Sequence, residues 1–396
     1  MSIRNNYKHT IYACYIGFIT QAIVNNFVPL LFLTFHNSYG ISLERIGLLV
    51  TVNFGTQLLI DLLSAKFADR LGYRRLIVAA HLFAAAGLIG LALLPSLFAD
   101  AYPGLCAAVM IYAVGGGLTE VLISPIVEAC PTEGKAAAMS LLHSFYCWGS
   151  VLVVLLSTLF FSLFGTGAWK SIACLWAIIP LANAVYFLRV PIAPLVEDGE
   201  SMRIGGLLRS SVFWVLALLM ICAGASELSM SQWASAFAES GLRISKTAGD
   251  LAGPCFFAVL MGLGRLLHAK YAERINLYLY LGGCAMGCMV SYILAVFSPF
   301  PLLALLGCGL CGFSVSAMWP GTFSLAGEKC PKGGTAMFAL LALAGDTGCS
   351  LGPTLVGYVS AALGDNLRLG LLAVIVFPLL LLGGLSFLYR SRQKSV

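Results

Sequence analysis

The chain has 396 residues, 60% of them hydrophobic and 10% charged, with a formal net charge of +6. Soluble proteins carry roughly 25% charged residues, so this composition lacks the polar surface that keeps a globule dispersed and excludes a soluble enzyme, a nucleic-acid binder or a disordered chain. At about 33 residues for each membrane-spanning helix with its loop, the length provides for about twelve spans.

The first apolar stretch, Ile11 to Phe35, is longer than a signal-peptide core and has no small-x-small cleavage site, so it is expected to remain as the first helix. Apolar runs between charged or Gly/Pro punctuation predict helices over 9–35, 45–66, 76–97, 104–130, 136–164, 169–189, 212–239, 248–269, 277–297, 301–328, 335–362 and 369–389. The longest hydrophilic segment, 190–211, holds Pro191, Pro194, Glu197, Asp198 and Glu200 and reads as a cytoplasmic linker between two six-helix halves, 1–189 and 212–396. With the N-terminus inside, 18 of the 23 Lys and Arg residues fall in inner segments, and the outer loops keep only Arg45, Lys170, Arg243, Lys246 and Arg368. Basic loops resist translocation, so both termini are expected in the cytoplasm. Most of the 13 cysteines lie inside apolar stretches, as Cys284 and Cys288 do, and read as small packing residues.

An internal repeat supports the division into halves. Asp61 to Arg70 reads DLLSAKFADR and Arg265 to Arg274 reads RLLHAKYAER, with six of ten positions identical. The match places the end of the second predicted helix on the end of the eighth. Cys130-Pro131 and Cys330-Pro331 echo each other at the ends of the fourth and tenth. Two such halves, related as parallel repeats, hold a substrate between them.

The loop after the second helix, Ala65-Lys66-Phe67-Ala68-Asp69-Arg70-Leu71-Gly72-Tyr73-Arg74-Arg75, resembles the Gly-x-x-x-Asp-Arg-x-Gly-x-Arg-Arg motif of the major facilitator superfamily, with Ala65 in place of the first glycine. Gly72 permits a tight turn there. The resemblance implies an all-α membrane protein of twelve transmembrane helices in two six-helix pseudo-repeats. The Gly-x-x-x-Gly-Pro motif of drug/proton antiporters is absent from the fifth helix, and the Pro-Glu-Ser-Pro-Arg motif of classical sugar porters does not follow the sixth.

Within the superfamily, Gly116-Gly117-Leu118-Thr119-Glu120 followed by Ser124-Pro125 resembles the Gly-x-x-Glu…Asn-Pro helix of the fucose permease family. Leu142 to Gly149, LHSFYCWG, is similar to its Gln-x-Phe-Asn-x-x-Gly stretch. The resemblance implies a proton-linked or sugar-contacting role for Glu120. It sets His143 where that family has a polar amide and Tyr146 where it has an asparagine. Asn25-Asn26 is preserved on the first helix, while the family's nearby aspartate falls at Pro29.

A charge at the bilayer centre costs ~2.5 to 3.5 kcal/mol on insertion scales, so each one needs an explanation. Counted at 1.5 Å per residue, Glu120, His143, Glu227 and Asp346 fall near mid-depth, and they are the proton-coupling candidates. A carboxyl half-removed from water can exchange a proton under physiological conditions, and histidine titrates in that range unaided. Amides and aromatic rings suit sugar hydroxyls and the apolar face of a pyranose. Gln21, Asn25, Asn26, Asn53, Gln57, Tyr146, Trp148, Gln232, Trp233 and Trp319 are therefore the substrate-binding candidates. Asp61 and Arg265 occupy equivalent repeat positions with opposite charge; they belong to an inner gate or to the substrate site, the gate being preferred. Asp69, Arg70, Glu273 and Arg274 complete that cytoplasmic gate.

The expected protein is a monomeric secondary transporter of the plasma membrane, not an enzyme, with no cofactor, no metal and no nucleic-acid partner. Its expected work is proton-coupled symport of a small neutral solute such as a monosaccharide. A proton-coupled exporter of amphipathic compounds is the alternative, and a non-transporting sensor or scaffold is the reading from another class.

Overall fold

A computed structural model describes the chain at residue 4 and over residues 6–131, 135–193, 204–271, 276–330 and 334–393; side chains of 65–70, 128, 135–140, 204–205, 269–271, 334–336, 338–339 and 391–393 lie outside that description. The described residues are helices and short connections. In chain order the α-helices are α1 (Tyr7–Asn26), α2 (Phe32–Tyr39), α3 (Leu43–Leu71), α4 (Tyr73–Leu93), α5 (Ala101–Ala129), α6 (Lys135–Phe164), α7 (Trp169–Trp176), α8 (Ile178–Phe187) and α9 (Ile204–Leu207). They continue as α10 (Ser211–Ala236), α11 (Lys246–Asp250), α12 (Phe256–Tyr271), α13 (Leu277–Phe297), α14 (Pro301–Val315), α15 (Met318–Lys329), α16 (Gly334–Ala362), α17 (Leu367–Ala373) and α18 (Val376–Gln393).

Eleven stretches among the described residues, from Tyr7–Tyr39 to Leu367–Arg390, are long and apolar enough to cross a membrane, so this is a multi-pass integral membrane protein. Helix α16 matches the span predicted over 335–362 and is 29 residues long, yet it falls outside those eleven.

Prolines explain where predicted spans break. Three of them are interrupted so that a proline becomes the third residue of the new helix: Pro180 in α8, Pro320 in α15 and Pro378 in α18. A proline supplies no N–H to the carbonyl four residues earlier and its ring crowds that carbonyl, so the ladder restarts just before it. Pro29 likewise falls in a 3₁₀ turn, Val28–Leu31, between α1 and α2. Pro254 lies in a π-helical turn, Leu251–Cys255, and a second π turn, Phe237–Gly241, ends α10.

Helix ends are satisfied locally. Asn6, Asp100, Asn276 and Asn366 accept backbone N–H groups at the starts of α1, α5, α13 and α17. Gly72 takes φ 86°, the left-handed turn its place in the loop requires. Arg74 Nη1 donates to the Phe187 carbonyl at the end of α8 (2.7 Å), and Arg368 Nη1 to those of Val296 (2.5 Å) and Ser298 (3.1 Å) at the end of α13. Both cations therefore sit at the negative end of a helix dipole.

The chain forms two compact units, Met1–Ser42 with Val52–Glu197, and Leu43–Thr51 with Asp198–Val396. The sequence reading assigns all of the second predicted helix to the first half, whereas its opening residues pack with the second unit. There, a Cβ on Gly47 would lie 3.3 Å from the Gly357 Cα, and the Thr51 and Thr354 hydroxyls bond to each other.

The core of the first unit is formed by Ala13, Phe18, Ile77, Ala80, Leu122, Ile126 and Phe187. A polar knot lies within it: the Nδ1 of His81 faces the Ile77 carbonyl at 2.8 Å, and Asn183 Nδ2 is shared between His81 Nε2 (2.8 Å) and the Ala13 carbonyl (3.0 Å). In the second unit α10 lies directly on α16. Any Cβ on Gly224 or Gly348 would collide with the Gly345 or Ile221 carbonyl, and one on Gly352 would be 2.5 Å from that of Ala225. Small residues let helices approach this closely in a bilayer.

Candidate functional site

The polar residues of the first unit converge on the facing surfaces of α1, α3 and α5. On α3, Asn53, Gln57 and Asp61 recur every fourth residue and so share one face. On α1, Gln21 and Asn25 are one turn apart. Asn25 Oδ1 accepts from Asn53 Nδ2 (3.1 Å) and from Gln57 Nε2 (2.9 Å), and Gln57 Nε2 also reaches Asn53 Oδ1 (3.0 Å). Gln21 Nε2 then donates to Gln57 Oε1 (2.9 Å) and to Glu120 Oε2 (3.2 Å). Four amides thus form a hydrogen-bonded ladder that ends on the carboxylate of α5. All four are buried.

Glycines on α5 make room for the ladder. A Cβ on Gly116 would lie 3.1 Å from both Gln21 Oε1 and Gln57 Cδ, and one on Gly117 would lie 2.9 Å from the Gln57 carbonyl oxygen and 3.1 Å from Asp61 Oδ1. Gln21 Oε1 and Asp61 Oδ1 are buried without a hydrogen-bond partner. Unsatisfied buried acceptors cost about 1–3 kcal/mol each. Here they are the two atoms of the cluster ready to receive a donor.

The other candidates of the first unit lie around this cluster. Asn26 points away from Asn25: its Nδ2 donates to the Ala22 carbonyl (2.9 Å) and to Ser150 Oγ on α6 (3.0 Å). Ser150 in turn donates to the Tyr146 carbonyl at 3.0 Å. His143 stands edge-on to Phe18 with ring centroids 5.3 Å apart. Trp148 is 43% exposed and shares its helix face with the exposed Leu152, Leu155 and Leu159, a stripe of the kind that faces lipid.

In the second unit Arg265 Nη2 lies 3.6 Å from Glu227 Oε1, joining a residue expected in the inner gate to one expected to carry protons. Asp346 and Gln232 are buried, and Trp319 lies over Gly345, where a Cβ would strike its ring. Trp233, expected to line the substrate site, is wholly buried, with its indole N–H donating to the Pro353 carbonyl at 3.0 Å. That contact is suited to fastening α10 to α16. The side chains of Asp69 and Arg70, and the whole of Glu273 and Arg274, lie outside the described residues.

Two polar groups escape the sequence reading. One is the His81–Asn183 knot. The other joins Lys246 Nζ to Asp250 Oδ2 (3.2 Å), Ser235 Oγ (3.3 Å) and Glu239 Oε2 (4.0 Å), with Ser235 bonded to Asp250. Lys246 and Asp250 are four residues apart, a spacing that announces the pair; burial of Asp250 follows only from the packing of α10 on α11.

A family model described as Major Facilitator Superfamily matches residues 13–353. Membrane protein MosC of Rhizobium meliloti is 23% identical over 333 residues, covering 83% of this chain and 78% of that one. Among solved structures, a bacterial homolog of the human lysosomal transporter Spinster superposes with a TM-score of 0.79 at 15% identity, covering 97% of each chain. A D-xylose-proton symporter gives 0.76 at 14% identity, covering 96% of this chain and 97% of that one. The fucose:proton symporter of E. coli gives 0.65 at 16% identity, covering 97% and 99%. At such identities these structures establish a shared fold.

Proposed function

This chain belongs to the major facilitator superfamily, and we propose that it is a proton-coupled symporter of a small neutral solute, a monosaccharide being the favoured class. The observation that carries the reading is the ladder of Asn25, Asn53, Gln57 and Gln21 ending on Glu120. Amides offer both donors and acceptors to hydroxyl groups, and the carboxylate supplies an acceptor that can also take a proton. Support of a weaker kind comes from the shared fold with a D-xylose-proton and a fucose:proton symporter.

The architecture proposed with it is twelve spans, α16 serving as the span beyond the eleven apolar ones, in two halves, 1–189 and 212–396, joined by a cytoplasmic linker. Both termini face the cytoplasm of a cell whose plasma membrane holds the protein as a monomer. Glu120 carries the coupling proton, with Glu227, Asp346 and His143 as further titrating groups. Reconstituted protein tests this directly. An inward proton gradient should drive accumulation of a labelled monosaccharide from a panel that includes L-fucose and D-xylose, and collapsing the gradient should abolish it. Efflux of amphipathic compounds without any sugar flux would establish the exporter reading instead.

A further inference from the structure

Asp61 lies one helical turn beyond Gln57 on the face of α3 that carries the amide ladder, although its place in the repeat had pointed to an inner gate opposite Arg265. Its Oδ1 is buried without a hydrogen-bond donor and sits over Gly117, three residues before Glu120 on α5. Gln21 ties the two positions together, since its Nε2 donates to Glu120 Oε2 (3.2 Å) and to Gln57 Oε1 (2.9 Å), one helical turn before Asp61. Arg265, the cation of opposite charge at the equivalent repeat position, is engaged with Glu227.

Several other titratable groups on the helices packed here have partners of their own; on α4, which packs on α5, His81 faces the Ile77 carbonyl and Asn183. On α1, His9 bonds to Tyr186, Tyr15 stacks on Phe145 and Cys14 lies in the apolar core; on α6, His143 meets Phe18. Lys66 of α3 and Glu128 of α5 lie outside the described side chains.

We propose that Asp61 and Glu120 form a two-carboxyl proton site, with Gly117 as the gap that lets them meet and Gln21 as the donor that orients Glu120. Like-charged carboxyls removed from water cannot both remain ionised cheaply, so one proton is held between them. That proton converts one carboxylate to a hydroxyl donor, which gives the buried Asp61 Oδ1 the partner it lacks. The pair passes from a charge of −1 to −2 when the proton leaves to water, and no other bond changes. This inference rests on the reading of Glu120 as the coupling group, and it moves Asp61 from the gate to the proton site.

Infrared difference spectroscopy of the full chain in liposomes tests the pair without any substrate, because a protonated carboxyl has its own carbonyl absorption. The wild type should show that absorption at neutral pH, and Asp61→Asn,Glu120→Gln together should remove it. Each single substitution should shift the band of the carboxyl that remains. Gly117→Ala, which sets a methyl 3.1 Å from Asp61 Oδ1, should shift it too while leaving both carboxyls in place. A spectrum of Asp61→Asn superimposable on the wild type, with the band lost in Glu120→Gln alone, would overturn the pair. Gradient-driven L-fucose and D-xylose uptake is measured on the same samples. Coupled band shifts with no sugar uptake uphold the pair and sink the sugar-symport reading, whereas uptake with an Asp61-independent band does the reverse.

Discussion

A carboxylate that ends an amide ladder and a carboxylate beside a guanidinium face different demands, and Glu120 and Glu227 are one of each. Glu120 receives a neutral donor from Gln21 at 3.2 Å; Glu227 has Arg265 at 3.6 Å. Glu120→Gln keeps the shape and hydrogen-bonding capacity but removes titration. It is expected to abolish concentrative uptake driven by a pH gradient while counterflow exchange, which moves no net proton, survives at least in part. Undiminished accumulation would remove Glu120 from coupling and shift attention to Glu227 or Asp346. A purely structural role is expected for Asn183, whose amide serves His81 and the Ala13 carbonyl at once. Asn183→Leu strands both, so thermal unfolding in detergent should show a loss of about 1–3 kcal/mol, with transport by the surviving folded protein unchanged. The i, i+4, i+8 spacing of Asn53, Gln57 and Asp61 was legible in the sequence. That Asp61 Oδ1 lies against Gly117 of α5 was not, because the repeat assigned Asp61 and Arg265 only to an inner gate or to the substrate site.

At the scale of elements, contacts between helices are set by what the chain leaves out as much as by what it carries. Gly348 lies against the Ile221 carbonyl, so Gly348→Ala forces α16 away from α10; overpacking of this kind typically costs about 1–3 kcal/mol. Gly283 on α13 is exposed with open space around its absent Cβ. There an alanine should be neutral or stabilising by up to about 1 kcal/mol, since it only relieves the entropy of a helical glycine. Paired melting curves of the two variants separate a packing glycine from an incidental one, and equal melting temperatures would refute the close α10–α16 contact. Lys246→Met leaves Asp250, fully buried, without its cation. Removing one partner of a buried pair costs about 3–5 kcal/mol, so this variant should melt well below the wild type, and Lys246→Met,Asp250→Asn should recover much of the loss. Helix breaks at Pro180, Pro320 and Pro378 were readable as punctuation, though the predicted spans ran through them because apolar character continues on both sides.

For the whole molecule, the distribution of basic residues predicts topology independently of any side-chain geometry. Labelling with a membrane-impermeant thiol reagent, after single cysteines are placed at Lys394 and at Lys170 in a cysteine-free background, should modify the second position from outside and the first only after permeabilisation. Ligand binding is also a whole-molecule quantity: a sugar present at 100 times its dissociation constant should stabilise the protein by about 2.7 kcal/mol, and a thermal-shift series would rank the candidates. The sequence by itself determined the bilayer as solvent, the positions of the spans, their expected orientation and the superfamily, since these follow from local apolarity, charge placement and a short motif around Asp69 and Gly72. Tertiary structure decided the partners. Glu227 meets Arg265, Asp250 meets Lys246 and Ser235, the Trp233 indole donates to the Pro353 carbonyl, and Asp61 Oδ1 lies against Gly117 of α5. Such choices depend on how closely neighbouring helices approach and which faces they turn to each other, and glycines at Gly117, Gly224 and Gly348 set those distances in a way that no single helix, read alone, encodes.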